Sequence, residues 1–338
     1  MKVLRNRTCE ALFVSLAATA FLQTQDARAQ GDGPLAYQLL PKGTKVVALY
    51  GFHTNGNQTA DPGTVVKDGE INVNLGLLQY VHTFRLVKDQ QAALFAILPF
   101  GKLDGSMKVQ GVRVSGDSSG ISDLQIGGII GLLGSPDLPA QEYATFKPGL
   151  ALGVLGKVYI PTGEYDSAKS LNLGANRWAF QVGLPTTYYL GESLLDPALT
   201  TFSLFPSVTV FTDNDDPFNA NRVEQDPLFK LEGHITRSLN KMLWMSLDAL
   251  YTGGGETTTD GVKGDNSQSS LALGGTVYVK FSRSASLKAS YGGTVSRNDS
   301  GLDGSMIRAI ISFAFWVEFL SYSTPVLAGS RRTRGTRT

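Results

Sequence analysis

The sequence predicts an all-β protein, an antiparallel transmembrane β-barrel of about 12 strands with short periplasmic turns and longer extracellular loops. Three observations lead to this prediction. The chain opens with an export signal, its strands alternate between polar and apolar side chains, and the connections between strands are long and short in turn. After the export signal no apolar run is long enough for a membrane helix, so a chain of this kind can cross a membrane only as a closed barrel.

The first residues predict export. Lys2, Arg5 and Arg7 give a positive start, residues 11–22 form an apolar run, and Ala27-Arg28-Ala29 is a small-x-small cleavage site. This is the pattern of a secretory signal peptide. The run is too short for a membrane-spanning helix, which needs about 20 residues. Residues 1–29 are therefore predicted to be removed, and an uncleaved anchor is the alternative.

Cysteine usage and charge further limit the class of protein that the sequence predicts. Cys9 is the only cysteine and lies in the leader, so the mature chain has no disulfide, and barrel closure is one other source of stability. Removing four basic and two acidic leader residues from totals of 30 and 29 leaves 26 and 27. A nearly neutral chain without a basic reading face argues against nucleic-acid binding. The 38 glycines and a charged fraction of 17% suit alternating strands better than helices.

The strand pattern is clearest from Asp226 to Tyr251. Because successive side chains of a strand alternate, one face of its first half is polar and the other is apolar. The polar face carries Lys230, Glu232 and His234, and the pattern resumes after residues 237–241. A helix would scatter these residues around its circumference, so this stretch is predicted to be a hairpin. In water its apolar face would pack on a second sheet, whereas in an outer membrane it would face lipid and the polar face would line the interior.

The same alternation predicts the other strands in order. Twelve are expected, over residues 45–52, 71–82, 92–100, 121–133, 146–160, 176–190, 201–211, 228–236, 243–251, 271–281, 287–295 and 306–316. Connections after odd-numbered strands are mostly long and polar, such as residues 53–69, 101–120 and 212–226. Connections after even-numbered strands are mostly short, such as residues 86–90 and 282–286. This asymmetry is typical of an outer-membrane barrel, and a soluble sandwich has no reason to show it.

Four phrases of the sequence, in their order and spacing, resemble a known family. They are Pro161 to Asp166, Asn172 to Phe180, Glu224 to Phe229, and Thr252 to Gly255 followed by Asp260-Gly261. Together they resemble the outer-membrane transporters grouped as the family of the meta-cleavage pathway of phenol degradation, over roughly residues 35–316. The resemblance implies a barrel in the outer membrane of a Gram-negative bacterium that passes small, often aromatic or hydrophobic compounds.

The ends of the chain complete the predicted organisation. Residues 1–29 are the signal peptide, 30–43 a periplasmic N-terminal segment, 44–316 the barrel, and 317–338 a disordered basic extension. An outer-membrane barrel usually finishes on its last strand with an aromatic residue. The extension past Trp316 departs from that pattern and would mask the signal read by the outer-membrane assembly machinery.

The function predicted from the polar faces is a passive channel for small molecules. If those faces point inward, mixed charge along the lumen sets selectivity. The pore-lining candidates are Arg177, Gln181, Lys230, Glu232, His234, Asp248, Lys280, Lys288 and Arg308. The alternative is that these residues pair with one another and fill a narrow barrel, because buried charges must be paired. The expected partners are outer-membrane lipid, a small-molecule permeant and the assembly machinery.

Two other functions have less support in the sequence. A membrane-embedded hydrolase would need a serine with a histidine base, but only His53, His82 and His234 exist and no Gly-x-Ser-x-Gly surrounds a serine. A structural or adhesive barrel would act through its loops, and the acidic residues 212–216 offer oxygen ligands but lack the glycine and terminal glutamate of a calcium loop. The sequence therefore predicts no enzyme, no cofactor and no metal site.

Overall fold

The structure, a computed structural model, describes residues 31–61, 63–109 and 112–315. Fourteen strands form one antiparallel sheet. They are β1 (Lys45–Gly56), β2 (Glu70–Val87), β3 (Gln90–Val109), β4 (Val112–Ile121), β5 (Leu124–Leu133), β6 (Leu150–Ile160), β7 (Ala179–Gly183), β8 (Thr186–Leu190), β9 (Thr200–Phe211), β11 (Leu228–Ser238), β12 (Leu243–Gly254), β15 (Gln268–Lys280), β16 (Ala285–Arg297) and β17 (Gly304–Phe315).

The sheet closes on itself into a barrel. The first strand β1 pairs along its length with the last, β17, from Lys45 opposite Phe315 to Gly56 opposite Gly304. The remaining strands pair in chain order, and β9 pairs with β11. Because β4 and β5 continue one another along β3, and β7 and β8 do so along β9, the barrel has twelve strands, as the sequence predicts. Closure pairs the first and last strands with one another, and in the described part of the chain β4, which extends beyond the closed wall, pairs with β3 alone.

The predicted sixth strand is interrupted. It was expected to run through residues 176–190, but it divides into β7 and β8 at Leu184 and Pro185. The Pro185 carbonyl still accepts a hydrogen bond from the Gly153 amide at 2.9 Å, and Leu184 donates to the Pro206 carbonyl at 3.0 Å. Proline has no N–H to return to the ladder, so the regular pattern breaks where two prolines lie on neighbouring strands.

The predicted loop at residues 101–120 is wrong. Strands β3 and β4 continue through it as a hairpin, with Phe100 opposite Ile121 and Val109 opposite Val112. Similarly, the turn predicted at residues 86–90 shrinks, because β2 ends at Val87 and β3 begins at Gln90. The Gly, Ser and Asp residues of this stretch predict a loop. Strands that extend beyond the barrel rim can nevertheless pair without an apolar face on each side. Leu103 of the hairpin is fully buried in an apolar cluster with Ile71 and Val73 of β2.

The two faces of the barrel wall are inverted relative to a soluble protein. On β11 the side chains of Glu232, His234 and Thr236 are buried, whereas Phe229 and Ile235 are exposed. The same sidedness holds on β17, where Arg308 is buried and alternate residues from Ile307 to Phe315 are exposed. The buried polar side chains of these strands therefore face the interior and their exposed apolar side chains face outward, which is the arrangement expected for a barrel in lipid.

Connections at the two ends of the barrel differ. One end, here called the short-turn end, carries residues 88–89, 239–242 and 281–284. It also carries the connection between β5 and β6, which includes the helix α1 (Ala140–Thr145). The other, the long-loop end, carries a three-stranded sheet of β10 (Val223–Gln225), β13 (Thr257–Thr259) and β14 (Val262–Lys263). Among the described residues, no helix is both long and apolar enough to span a membrane.

The connection of residues 161–178 packs on the β2–β3 wall at the long-loop end. Leu171 and Leu173 join Ile71, Val73 and Leu103 in one apolar cluster whose members are at most 2% exposed. We expect Leu171→Ala to destabilise this connection by about 2–5 kcal/mol, because the lost side chain leaves a cavity. Hydrogen exchange of the amides in residues 161–178 measures the effect. Val112→Ala, at the exposed tip of the hairpin, is the control, and equal protection in both variants would contradict the prediction.

Candidate functional site

A cavity of about 1410 Å³ lies inside the barrel. Its lining includes Glu192, Lys241 and Arg283 at the short-turn end, and Asp61 and Gln268 at the long-loop end. The inward side chains therefore enclose one space, which is lined by residues from both ends of the barrel. This lumen is the candidate functional site.

The structure divides the nine pore-lining candidates into two groups. Four of them line the cavity, namely Lys230, Lys280, Lys288 and Arg308. The other five are buried among polar neighbours, namely Arg177, Gln181, Glu232, His234 and Asp248. Arg308 is buried as well, so the two alternatives left open by the sequence, lining and pairing, overlap in this residue. Their part in selectivity stays a prediction.

The N-terminal segment, residues 31–43, enters the barrel and crosses the lumen. The amides of Asp32 and Gly33 donate to the two carboxylate oxygens of Glu232 on β11, at 3.1 and 3.3 Å. On the other side of the barrel, the Arg308 guanidinium donates to the Gly31 carbonyl at 2.9 Å, and the Lys288 ammonium donates to the Pro34 carbonyl at 2.8 Å. The segment is therefore bound through its backbone to three strands of the wall.

Side chains of the same segment contact further strands of the wall. Tyr37 packs edge-on against Phe205 of β9, with ring centroids 5.1 Å apart, and its hydroxyl donates to Asp32. Nearer the short-turn end, the Gln91 side chain exchanges hydrogen bonds with the backbone of Leu40, at 3.2 and 2.6 Å. Contacts on several sides hold one conformation of an irregular segment, because most of its polar groups find partners on the wall.

Lys157 is a lumen residue that sequence reasoning missed. Its ammonium lies 3.3 Å from Asp32 Oδ1, and both side chains are largely buried. Burial alone would raise the pKa of Asp32, but the Lys157 ammonium and the Tyr37 hydroxyl outweigh it and hold this pKa below its ordinary value of 3.8. The signal was present in the sequence, because Lys157 is the only charged residue of β6 and had to face the polar side.

Glu232, His234 and Asp248 form a buried polar chain across β11 and β12. His234 Nδ1 lies 2.8 Å from Asp248 Oδ1, and His234 Nε2 lies 3.5 Å from Glu232 Oε2. Asp248 also accepts hydrogen bonds from the hydroxyls of Ser246 and Thr276, each at 2.8 Å. These three side chains connect β11 and β12 to the N-terminal segment, because Glu232 binds the segment. Both ring nitrogens of His234 face carboxylates, so this histidine is not placed to activate a serine.

The long-loop end of the lumen is partly closed by the described residues of the loop 57–69, namely 57–61 and 63–69, and this loop is here called the mouth loop. Its Asp61 carboxylate lies 2.7 Å from the guanidinium of Arg177, which also donates to Gln225 Oε1 at 2.6 Å and packs over the ring of Phe211 at 4.4 Å. The Gly63 carbonyl accepts hydrogen bonds from Gln225 and Gln268, each at 2.9 Å. One buried arginine of the connection of residues 161–178 thus joins the mouth loop to β10 and to Phe211 of β9.

The remaining polar candidates have structural contacts. Gln181 lies 3.3 Å from the Tyr159 hydroxyl and donates to the Ser207 hydroxyl at 3.0 Å. His53 Nδ1 lies 2.8 Å from Asn74 Oδ1, and the His82 ring stacks on Phe84. In residues 31–61, 63–109 and 112–315, no group of three or more His, Cys, Asp or Glu residues could hold a metal ion.

Comparison with known families gives a match over most of the barrel. The profile described as "Putative MetA-pathway of phenol degradation" matches residues 54–308, which is more than half of the chain. The chain belongs to this family. The resemblance inferred from the four sequence phrases is therefore confirmed, and the match covers the lumen-lining strands, although it begins after the N-terminal segment. Comparison with curated proteins gives no match.

Solved structures show the same fold. The chain is similar to the crystal structure of the COG4313 outer membrane channel from Pseudomonas putida F1, with a TM-score of 0.69 and 22% identity over 84% of this chain and 99% of that one. Weaker similarity is found to the toluene transporter TodX of Pseudomonas putida, with a TM-score of 0.40 and 12% identity over 86% and 95% of the two chains. The predicted fold class is confirmed by the first of these matches.

Proposed function

We propose that the protein is an outer-membrane channel through which small molecules diffuse passively. The observation that supports this function is the lumen, a cavity of about 1410 Å³ lined from both ends of a closed barrel. The outer face of the barrel carries exposed apolar residues, which lipid would cover, and the backbone polar groups are satisfied between strands. One chain encloses the whole lumen, so no second copy is needed to complete it.

The proposal includes an orientation. The short-turn end faces the periplasm and the long-loop end faces the exterior, because barrels of this class have short periplasmic turns. The mature chain begins near residue 30 after cleavage at Ala29, and the barrel occupies residues 44–316. The N-terminal segment then enters the lumen from the periplasm. Residues 1–30 and 316–338 lie outside the described part of the chain, so the signal peptide, Trp316 and the extension belong to this proposal only.

The charge of the lining favours anions. Among the described residues, seven basic and five acidic ones contact the cavity, namely Lys157, Lys230, Lys241, Lys280, Arg283, Lys288 and Arg308 against Asp32, Asp61, Asp123, Glu192 and Asp196. Fixed charges of one sign raise the local concentration of ions of the other sign. The proposed function involves no catalysis, and the permeants are small molecules of the size of the cavity, including aromatic compounds such as the family description suggests.

Outer-membrane fractionation, heat modifiability and bilayer recording together test the proposal. We expect the protein in the outer-membrane fraction, and we expect the unheated form to migrate faster than the boiled form, because a closed barrel stays compact in detergent. A chain that ends at Trp316 should behave in the same way and shows whether the extension affects insertion. In planar bilayers the purified barrel should conduct, with a preference for anions.

Other outcomes would contradict specific parts of the proposal. A heat-modifiable protein that never conducts would be a structural or adhesive barrel rather than a channel. A soluble periplasmic protein with one mobility would instead be a β-sandwich, and the assignment of the polar faces to a lumen would be wrong. Cation preference would leave the channel intact but contradict the role given to Lys230, Lys280, Lys288 and Arg308.

A further inference from the structure

The lumen wall carries a stacked pair of aromatic rings at the short-turn end. Trp244 on β12 and Tyr278 on β15 lie directly opposite one another in the strand register. Their rings stack with centroids 5.0 Å apart and planes 8° from parallel, and both side chains contact the cavity. Neither residue is fully buried, so part of this aromatic surface is open to the lumen.

Cationic side chains surround the aromatic pair. The Lys288 ammonium lies 5.5 Å from the centre of the Trp244 ring. Lys280 is two residues beyond Tyr278 on the same face of β15, and Arg283 and Lys241 extend from the adjoining turns into the cavity lining. Four basic groups therefore share the cavity lining with the Trp244–Tyr278 pair, and one of them, Lys288, lies against the Trp244 ring.

These four cations lack acidic partners in the described part of the chain. No described carboxylate lies within 4.0 Å of the side-chain nitrogens of Lys241, Lys280, Arg283 or Lys288, and the contact of Lys288 with Pro34 is to a neutral carbonyl. The two acidic residues of the cavity lining at this end, Glu192 and Asp196, have other partners. Glu192 pairs with Lys147 at 3.0 Å, and Asp196 accepts from the amides of Glu192 and Ala198 at 2.8 Å. An anion in the lumen would thus find uncompensated positive charge.

We infer that this surface, the Trp244–Tyr278 wall with Lys280, Arg283 and Lys288, binds small aromatic carboxylates. The ring of the permeant would pack against the aromatic pair, and its carboxylate would take the place of the missing acidic partner. A neutral aromatic compound would use the rings but leave the cations uncompensated. An aliphatic acid would use the cations but gain nothing from the rings. The inference rests on the proposed channel function and names its permeant class.

Equilibrium binding to the folded, detergent-purified barrel tests the inference whether or not the protein conducts. The probes are benzoate, cyclohexanecarboxylate with the same charge and no aromatic ring, and phenol with a ring and no charge. We expect benzoate to bind roughly twofold to tenfold more tightly than cyclohexanecarboxylate, which is the range for an aromatic contact. In bilayers, benzoate added at the short-turn side should interrupt the current at lower concentration than the other two.

Two variants separate the contributions. Trp244→Leu should remove the advantage of benzoate over cyclohexanecarboxylate, whereas the double variant K280Q/R283Q should weaken both acids by at least about tenfold and leave phenol unchanged. The matched controls are Trp178→Leu on the outer surface and K102Q/K108Q on exposed positions of the β3–β4 hairpin wall, and neither should change binding. Heat modifiability confirms that each variant is folded.

The outcomes distinguish the inference from the proposed function. Conduction with equal affinity for benzoate and cyclohexanecarboxylate, or binding that survives both lumen variants, overturns the inference and leaves the channel standing. Preferential benzoate binding that depends on Trp244 without any conduction supports the site and overturns the channel. Tighter binding of phenol than of benzoate would show that the cations do not recognise the permeant, and it would also overturn the inference.

Discussion

Deleting residues 31–40 is expected to raise the single-channel conductance several-fold. The N-terminal segment crosses the lumen and is bound to Glu232, Lys157, Lys288 and Arg308 of the wall. Without it the wall side chains become the boundary of the conducting space, and the cations that now contact the segment become free to meet ions. Recording the deletion variant and the full mature chain in planar bilayers under the same salt gives the ratio directly.

Point variants show whether the effect arises from the segment rather than from a damaged barrel. Glu232→Ala removes the carboxylate that accepts the amides of Asp32 and Gly33, so it should increase conductance or current noise in part. Gly33→Ala should act similarly, because Gly33 has a φ of +91° and an added Cβ would lie 2.3 Å from the Arg308 guanidinium. Glu70→Gln, an exposed position at the long-loop end, is the control. Unchanged conductance in the deletion would place the constriction at the mouth loop instead.

Replacing Arg177 by glutamine is expected to release the mouth loop at neutral pH. The Arg177 guanidinium and the Asp61 carboxylate are largely buried and 2.7 Å apart. Removing one member of a buried ion pair leaves the other without compensation, at a cost of about 3–5 kcal/mol. The Asp61 carboxylate would then favour water over its present position. Accessibility of residues 57–69 to protease, measured on the folded barrel, should increase in the variant.

The pH dependence provides a second measurement of the same contact. Burial acts to raise the pKa of Asp61, but the Arg177 guanidinium outweighs it and lowers this pKa below 3.8. A carboxyl whose pKa is lowered by folding stabilises the folded arrangement fully above its unfolded pKa, and loses that contribution as the pH falls through the folded pKa. The natural mouth loop should therefore stay closed at neutral pH and open only in acid below about pH 3.8.

A charge-free variant supplies the control for both measurements. R177Q/D61N leaves no buried charge without a partner, so it should recover part of the closure that Arg177→Gln loses. If Arg177→Gln alone leaves protease accessibility and its pH profile unchanged, the contacts of Gln225 and Gln268 with Gly63 hold the mouth loop without help from the ion pair.

Local alternation was sufficient to predict the barrel wall. The alternation of polar and apolar side chains along two successive strands predicts the hairpin of β11 and β12. Each predicted strand corresponds to one barrel strand. The errors of the strand prediction lie where the strands depart from the regular alternation of the barrel wall. The Gly and Ser content of residues 101–120 predicts a loop. These residues form paired strands instead, because the partner strand decides their pairing. Pro185 interrupts a strand whose alternation continues on both sides of it.

The candidate site was predictable in part for the same reason. An inward position follows from strand period, so Lys230, Lys280, Lys288 and Arg308 could be assigned to the lumen from the sequence, and Lys157 could have been added as the lone charge of its strand. Which of these residues pair, and with what, did not follow. Asp32 and Lys157 are 125 positions apart, and Asp61 and Arg177 are 116 apart.

The sequence by itself determined the fold class, the strand count and the sidedness of the wall, because each depends on a period of two and on the lengths of connections between neighbours in the chain. Only the tertiary structure decided how the lumen is filled. The N-terminal segment and the mouth loop have no periodic pattern, and their positions depend on hydrogen bonds and ion pairs with strands far away in sequence. Such contacts exist only after the barrel has closed around them.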